Sequence, residues 1–259
     1  YMLGSSNEFV VRPFGFFINV VDNPKAQSAN QPNSVFKKAG VEFTTSLTAV
    51  QWQAEDDIDE DGVPDTSADL IDNSTTVNFG NETTPETAII TDSLYLPNLG
   101  VEGKLTNVDF TDFNDGIATN GVINNKSMTY DEVGIVNFTA NLTSGAYLGA
   151  SDVIGVEPYV GRFIPDHFEL STGFDGSIIS VCDIDSPSSE MTFAYTGQMS
   201  SIDDTKGALQ YESALQPELL ITAKSSICPD DECTTTQNYT GDFIKFSAED
   251  VEYIIPLED

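Results

Sequence analysis

The stretch DDIDEDGVPD, Asp56 to Asp65, gathers oxygen ligands at the spacing a hard cation uses. Asp57, Asp59 and Asp61 fall on alternate positions and Gly62 follows, while Val63 offers a backbone carbonyl and Asp65 and Asp69 further carboxylates. This is how an EF-hand-type calcium loop opens: alternate side chains curl inward and a glycine makes the sharp turn. The bidentate glutamate that closes such a loop would fall at Ala68, and Asp69 comes one residue late. The pattern is therefore closer to the Asp-x-Asp-x-Asp-Gly-x-x-Asp repeats of extracellular stalk proteins than to a calcium sensor. Carboxylates packed this densely repel one another unless a cation sits among them. Calcium in a structural role is the expected occupant, and a solvated acidic turn is the alternative in so acidic a chain.

The other residues capable of chemistry are few. Cys228 and Cys233 flank the tetrapeptide PDDE, and a short loop of that kind closes as a disulfide if the two Cβ atoms face each other. Zinc is the rival, but no histidine lies nearby and the remaining cysteine, Cys182, is far off in sequence. His167 follows Asp166, yet no nucleophile is tied to them by spacing, so a structural role is expected. Pairs of carboxylates arise everywhere among 42 acidic residues and carry no signal for glycoside hydrolysis. Arg12 and Arg162, the two arginines, stand in similar segments, VRP and GRFIP, and are expected to form half-buried ion pairs with carboxylates. Trp52 is the candidate platform for a sugar ring, whereas Phe14 and Phe16 are expected on one strand face in the core. Six Asn-x-Ser/Thr sites, at Asn73, Asn81, Asn125, Asn137, Asn141 and Asn238, would be glycan acceptors in a eukaryotic secreted protein.

The elements that must hold these residues are strands. Short β-branched and aromatic runs alternate with Gly, Asn, Asp and Pro clusters, the pattern of an all-β sandwich. EFTTSLTAVQW (Glu42 to Trp52), GIVNFTANL (Gly134 to Leu142) and ELLITAKS (Glu218 to Ser225) alternate as strands do, and one or two helical turns are expected near DDTKGALQYESAL. Two segments match each other. SLTAVQW leads through an acidic insert to TTVNFGNE, and LLITAKS leads through PDDE to TTTQNYTGD. Two tandem immunoglobulin-like β-sandwich modules account for this. The first is expected over residues 1–160 with its acidic insert at 55–72, and the second, shorter or incomplete, over 161–259.

A charge of −32, from ten Lys and Arg against 42 Asp and Glu, excludes the cationic footprint that nucleic acid or an anionic membrane needs. It also calls for screening by salt or bound divalent ions. No apolar run approaches the ~20 residues that cross a bilayer, so membrane insertion is not expected. YMLGSSNEF lacks the basic start and apolar stretch of a signal peptide, and the chain reads as a mature or excised piece of something longer.

VGRFIPDHFEL (Val160 to Leu170), FAYTGQ (Phe193 to Gln198) and TTTQNYTGDFIKF (Thr234 to Phe246) occur in that order. Together they resemble the C-terminal region of MshQ-like proteins of bacterial type IV pilus loci, and MTYDEVGIVNFTANL resembles the strand pair that precedes that region. The resemblance implies export, association with pili of aquatic Gram-negative bacteria, and no catalytic residues. The resulting expectation is a non-enzymatic extracellular adhesion or structural module, stiffened by calcium and a disulfide. Its expected partners are pilus or cell-surface proteins, or further copies of itself. The alternatives are a calcium-dependent carbohydrate-binding module with a glycan ligand at Trp52, and a subunit of a strand-exchanging filament.

Overall fold

The computed structural model describes residues 9–113, 121–174, 177–178, 209–210 and 218–247. The chain forms two compact units, Tyr1–His167 with Ala223–Asp259, and Phe168–Thr222. Every regular element among the described residues is a strand or a single 3-10 turn, so the protein is all-β.

The first unit holds β1 (Gly15–Val20), β2 (Phe43–Val50), β3 (Ala88–Leu96), β4 (Leu105–Thr106), β5 (Asp109–Phe110), β6 (Val122–Tyr130), β7 (Gly134–Leu142) and β8 (Ile154–Phe163). They form one sheet in the order β4-β6-β2-β1-β8-β7-β3-β5. The pairings are antiparallel except β1 with β8, whose parallel register rests on Gly15 opposite Ile154. Phe43 on β2 and Phe138 on β7 stack with ring centroids 6.2 Å apart, although β1 and β8 separate their strands in the sheet. The sheet therefore curls at the β1–β8 seam into two facing layers. Gly155 permits that seam, because a Cβ there would lie 1.9 Å from the Phe16 carbonyl oxygen.

Period-2 alternation builds the core. Phe43, Thr45, Leu47 and Ala49 point inward from β2, and Val136, Phe138, Ala140 and Leu142 from β7. They meet Phe16, Ile18 and Val20 of β1, Met128 and Tyr130 of β6, and Val160 and Phe163 of β8 in one cluster. Phe14 is also buried, but it belongs to a separate cluster with Val50 and Leu70 rather than sharing the face of Phe16. The boundary expected after Val160 falls inside β8, which runs on to Phe163 because its last residues pair with β7 as Gly134–Phe163 and Ile135–Gly161.

β9 (His167–Phe174) pairs with β12 (Glu218–Lys224) and β10 (Ser177–Ile178) with β11 (Leu209–Gln210); apart from His167, Ala223 and Lys224 these strands belong to the second unit. Of the segment expected to be helical, Leu209–Gln210 is strand and the rest lies outside the described residues.

The internal repeat has a matching hydrogen-bond pattern. Thr76 N donates to Ala49 O at 2.7 Å and Thr236 N to Ala223 O at 2.9 Å. Gln51 N donates to Ser74 O, and Ser225 N to Thr234 O, both at 2.8 Å. Val50 bridges Thr75 as Lys224 bridges Thr235, and Phe14 N reaches Val50 O as Asp166 N reaches Lys224 O. The acidic insert and the PDDE loop thus leave and rejoin the same framework at equivalent points. Asp166 stands where Phe14 stands, so Arg12 and Arg162 are not equivalent.

Candidate functional site

The acidic insert is pinned at both ends. Asp56 is buried, and its Oδ2 accepts from Asn73 Nδ2 at 2.8 Å, while the same amide donates to Gln51 O at 2.9 Å. Asp65 N donates to Asp56 O at 2.9 Å, closing a loop across residues 56–65. From outside, Arg12 Nη2 donates to Gly62 O at 2.6 Å. Gly62, at φ +80°, makes the turn that the ligand spacing requires.

Inside this loop the structure brings together Asp57, Asp59 and Asp61, each with a carboxylate oxygen within 4.8 Å of the others. Asp57 is 5% exposed, and its oxygens accept from Trp52 Nε1 at 2.9 Å and Gly62 N at 3.3 Å. Asp59 Oδ1 accepts from Asp61 N at 3.3 Å and Asp61 Oδ1 from Val63 N at 2.8 Å. These bonds turn the carboxylates along one curl of backbone. Two oxygens bound to one calcium at 2.3–2.6 Å stand at most about 4.6–5.2 Å apart, so the observed spacing and the all-oxygen donor set fit that ion.

Asp65 and Asp69, expected among the ligands, are not in this group. Asp65 Oδ2 accepts from Ile58 N at 3.0 Å, and Asp69 caps the 3-10 turn Leu70–Asp72 by accepting from Ile71 N at 3.3 Å. Val63 enters the loop through its N–H to Asp61. Trp52 is 56% exposed while bonded to the buried ligand candidate, so its ring lies open to solvent beside the aspartates.

Cys228 and Cys233 form the expected disulfide, at the tip of the hairpin that joins Ser225 to Thr234. Cys182 lies outside the described residues. His167 Nδ1 and Asp166 Oδ2 are 2.9 Å apart, and Lys38 Nζ lies 3.3 Å from Asp166 Oδ1. The imidazole hydrogen bond, with help from Lys38, holds the Asp166 carboxyl below the usual carboxylate range.

The ion pairs expected at the arginines are replaced by backbone contacts. Arg12 donates to the carbonyls of Pro13, Phe14 and Gly62, and buried Arg162 donates through Nη1 to Ala29 O. At Arg12 three converging carbonyls take up the guanidinium donors without a carboxylate, whereas Arg162 is given one carbonyl. Burial lowers the Arg162 pKa, and its Nε has no partner.

One buried site escapes sequence reasoning. The Glu132 carboxylate accepts from Val133 N at 2.7 Å, Gln237 N at 2.8 Å and Asn238 N at 3.1 Å. The Asn238 side chain, 2% exposed, exchanges hydrogen bonds with Val101 N and O and donates to Val133 O. This lock fastens Gln237 and Asn238 to the loops after β3 and β6. It also removes Asn238 as a glycan acceptor. Burial raises the Glu132 pKa against the lowering by its three N–H donors.

Residues 12–123 match the second domain of DUF6701 and residues 132–256 match its third domain. No curated protein and no solved structure matches the chain. Two tandem domains fit the expectation of two tandem modules, but their junction lies between residues 123 and 132, ahead of the boundary expected after residue 160. β7 and β8, from the third-domain segment, lie between β1 and β3 of the second in the shared sheet. On these two consecutive matches the chain belongs to the DUF6701 family.

Proposed function

We propose that this chain is a non-catalytic structural module of an MshQ-like, pilus-associated protein on the outside of a Gram-negative cell. Its work is to extend and stiffen that protein and to pack against pilus or surface partners. Calcium among Asp57, Asp59 and Asp61 and the disulfide at Cys228 and Cys233 brace equivalent connections in the two repeats. The observation that carries this reading is the equivalence itself. A covalent bridge closes one insert at the place where an aspartate loop closes the other. A cation neutralising three converged carboxylates would do for the first insert what the bridge does for the second.

Extracellular calcium modules bind at about 10⁻⁴–10⁻³ M, so millimolar external calcium would fill the loop. Calcium is expected to raise the melting temperature, and the triple variant Asp57→Asn, Asp59→Asn, Asp61→Asn to abolish the gain. Calorimetry with no heat and no melting shift at about 10 mM calcium, roughly tenfold above the weak end of that range, retires the proposal.

A second reading, calcium-dependent glycan binding, is favoured by the exposed Trp52 ring bonded to Asp57. A glycan array probed with and without chelator separates the two. Binding that chelator or Trp52→Ala removes selects the second.

A further inference from the structure

The acidic insert also roofs a second site, distinct from its aspartate curl. Between its later half and the outer face of the β1–β8 seam lies a cavity of about 370 Å³. Phe17, Ala68, Leu70 and Pro158 supply apolar walls. Phe17 and Ala68 pack with Leu70 and Phe14, which gives the walls a packed support. Three carboxylates, Asp65, Asp69 and Glu157, line the same space with a single ammonium, Lys25.

Glu157 is only 7% exposed. Its Oε1 accepts from Asn23 Nδ2 at 3.3 Å and lies 3.1 Å from Lys25 Nζ. Lys25 reaches in from solvent, its side chain 61% exposed. Burial raises the Glu157 pKa, Lys25 and Asn23 lower it, and Asp69 is near enough to raise it again. Asp65 and Asp69 each spend one oxygen on a backbone N–H, at Ile58 and Ile71, and keep the other. A buried anion is thus served by one largely exposed cation, whose Nζ also lies 3.3 Å from Glu157 Oε2, with two more anions at the rim. The ammonium already seated on Glu157 identifies the chemistry the cavity takes.

We propose that this cavity receives a lysine or arginine side chain from a basic partner protein, with Glu157 as the counter-ion and Lys25 as the resident group it displaces. The apolar walls suit the methylene stem of such a side chain, which packs along hydrocarbon while its head finds charge. Arginine fits better than lysine, because its planar fork can span Glu157 and a rim aspartate and is more weakly hydrated. A net charge of −32 steers basic partners toward this surface. The proposal goes beyond the stiffening role and does not depend on calcium in the aspartate curl.

The test follows amide shifts of the ¹⁵N-labelled full chain on titration with N-acetyl-arginine amide, with N-acetyl-citrulline amide as the uncharged isostere. The arginine probe is expected to shift Lys25, Asp69 and Glu157, and the citrulline probe to leave them in place. Lys25→Ala should tighten the arginine probe up to about fivefold, the upper worth of an exposed ion pair, while Lys104→Ala, equal in charge, leaves it unchanged. Glu157→Gln should abolish the shifts, and Asp69→Asn should weaken binding in a chain whose buried anion is intact. Equal response to both probes overturns the proposal. So does equal tightening by Lys104→Ala, or shifts at these residues with calcium chloride alone and none with the arginine probe.

Discussion

Replacing Asp92 by asparagine is expected to stabilise this protein near neutral pH and to lose that effect in mild acid. Asp92 lies on β3, and burial, then Glu102, then Asp131 raise its pKa from 3.8 to about 6, against a hydrogen bond to its own backbone. Glu102 is held close because both its oxygens accept from Leu94 N, at 3.0 Å each. A carboxyl whose folded pKa lies above its unfolded value destabilises the fold when ionised. The cost is full above pH about 6 and disappears as pH falls toward the unfolded value near 4. Two pH units correspond to about 3 kcal/mol, and because Asp92 is partly open to solvent about 1 kcal/mol is the figure to expect. Asp92→Asn should therefore melt about 2–4 °C above the native chain at pH 7.5, with the gap closing by pH 4.5. Comparing variant and native at each pH cancels the other titrating groups, including the opposite contribution of Asp166. A variant no more stable than the native chain at pH 7.5, or a gap constant from pH 7.5 to 4.5, refutes the reasoning.

Asn238→Ala removes three buried side-chain hydrogen bonds and strands their partners at Val101 and Val133. It should cost about 2–4 kcal/mol, read by urea unfolding, and admit protease between residues 234 and 247 before the core is cut. Cys228→Ser with Cys233→Ser opens a loop of sequence separation 5. Loop-closure entropy puts the loss at about 2 kcal/mol, and dithiothreitol should lower the native chain's stability by the same amount and leave the double variant unmoved.

The strands were legible where one face is buried. GIVNFTANL coincides with β7, and the inward Phe43, Thr45, Leu47 and Ala49 follow from alternation alone. The repeat was legible because its two Thr-Ala strands and Thr-Thr-x-Asn returns carry the same backbone bonds. What sequence did not disclose depends on contacts between distant residues. Glu132 gives no local sign that it will receive Gln237 and Asn238, 105 and 106 positions away. Arg12 and Arg162 were read by charge, and charge suggests carboxylates. Their actual acceptors are carbonyls, which every residue possesses and no sequence pattern marks. Asp65 and Asp69 fit a ligand spacing, but spacing does not show where the fold carries them: their carboxylates bond Ile58 N and Ile71 N and fall outside the group of Asp57, Asp59 and Asp61.

The sheet order bears on how the family's domains act together. A module linked to its neighbour by a tether can bend at the tether. Here β8 of the third-domain segment adds to β1 of the second, β7 pairs with β3, and Asn238 of the third segment exchanges hydrogen bonds with Val101 of the second. Within the first unit the two segments share one core through Phe43, Phe138 and Phe163, whose rings touch across the layers. Cutting the chain between residues 123 and 132 would leave β1 and β3 each with an open edge, the surface that natural sheets cover or charge to avoid association. Residues 12–123 expressed alone would therefore aggregate or fail to fold. Within the first unit the second- and third-domain segments of DUF6701 build one sheet together, and neither segment holds all of its strands without the other.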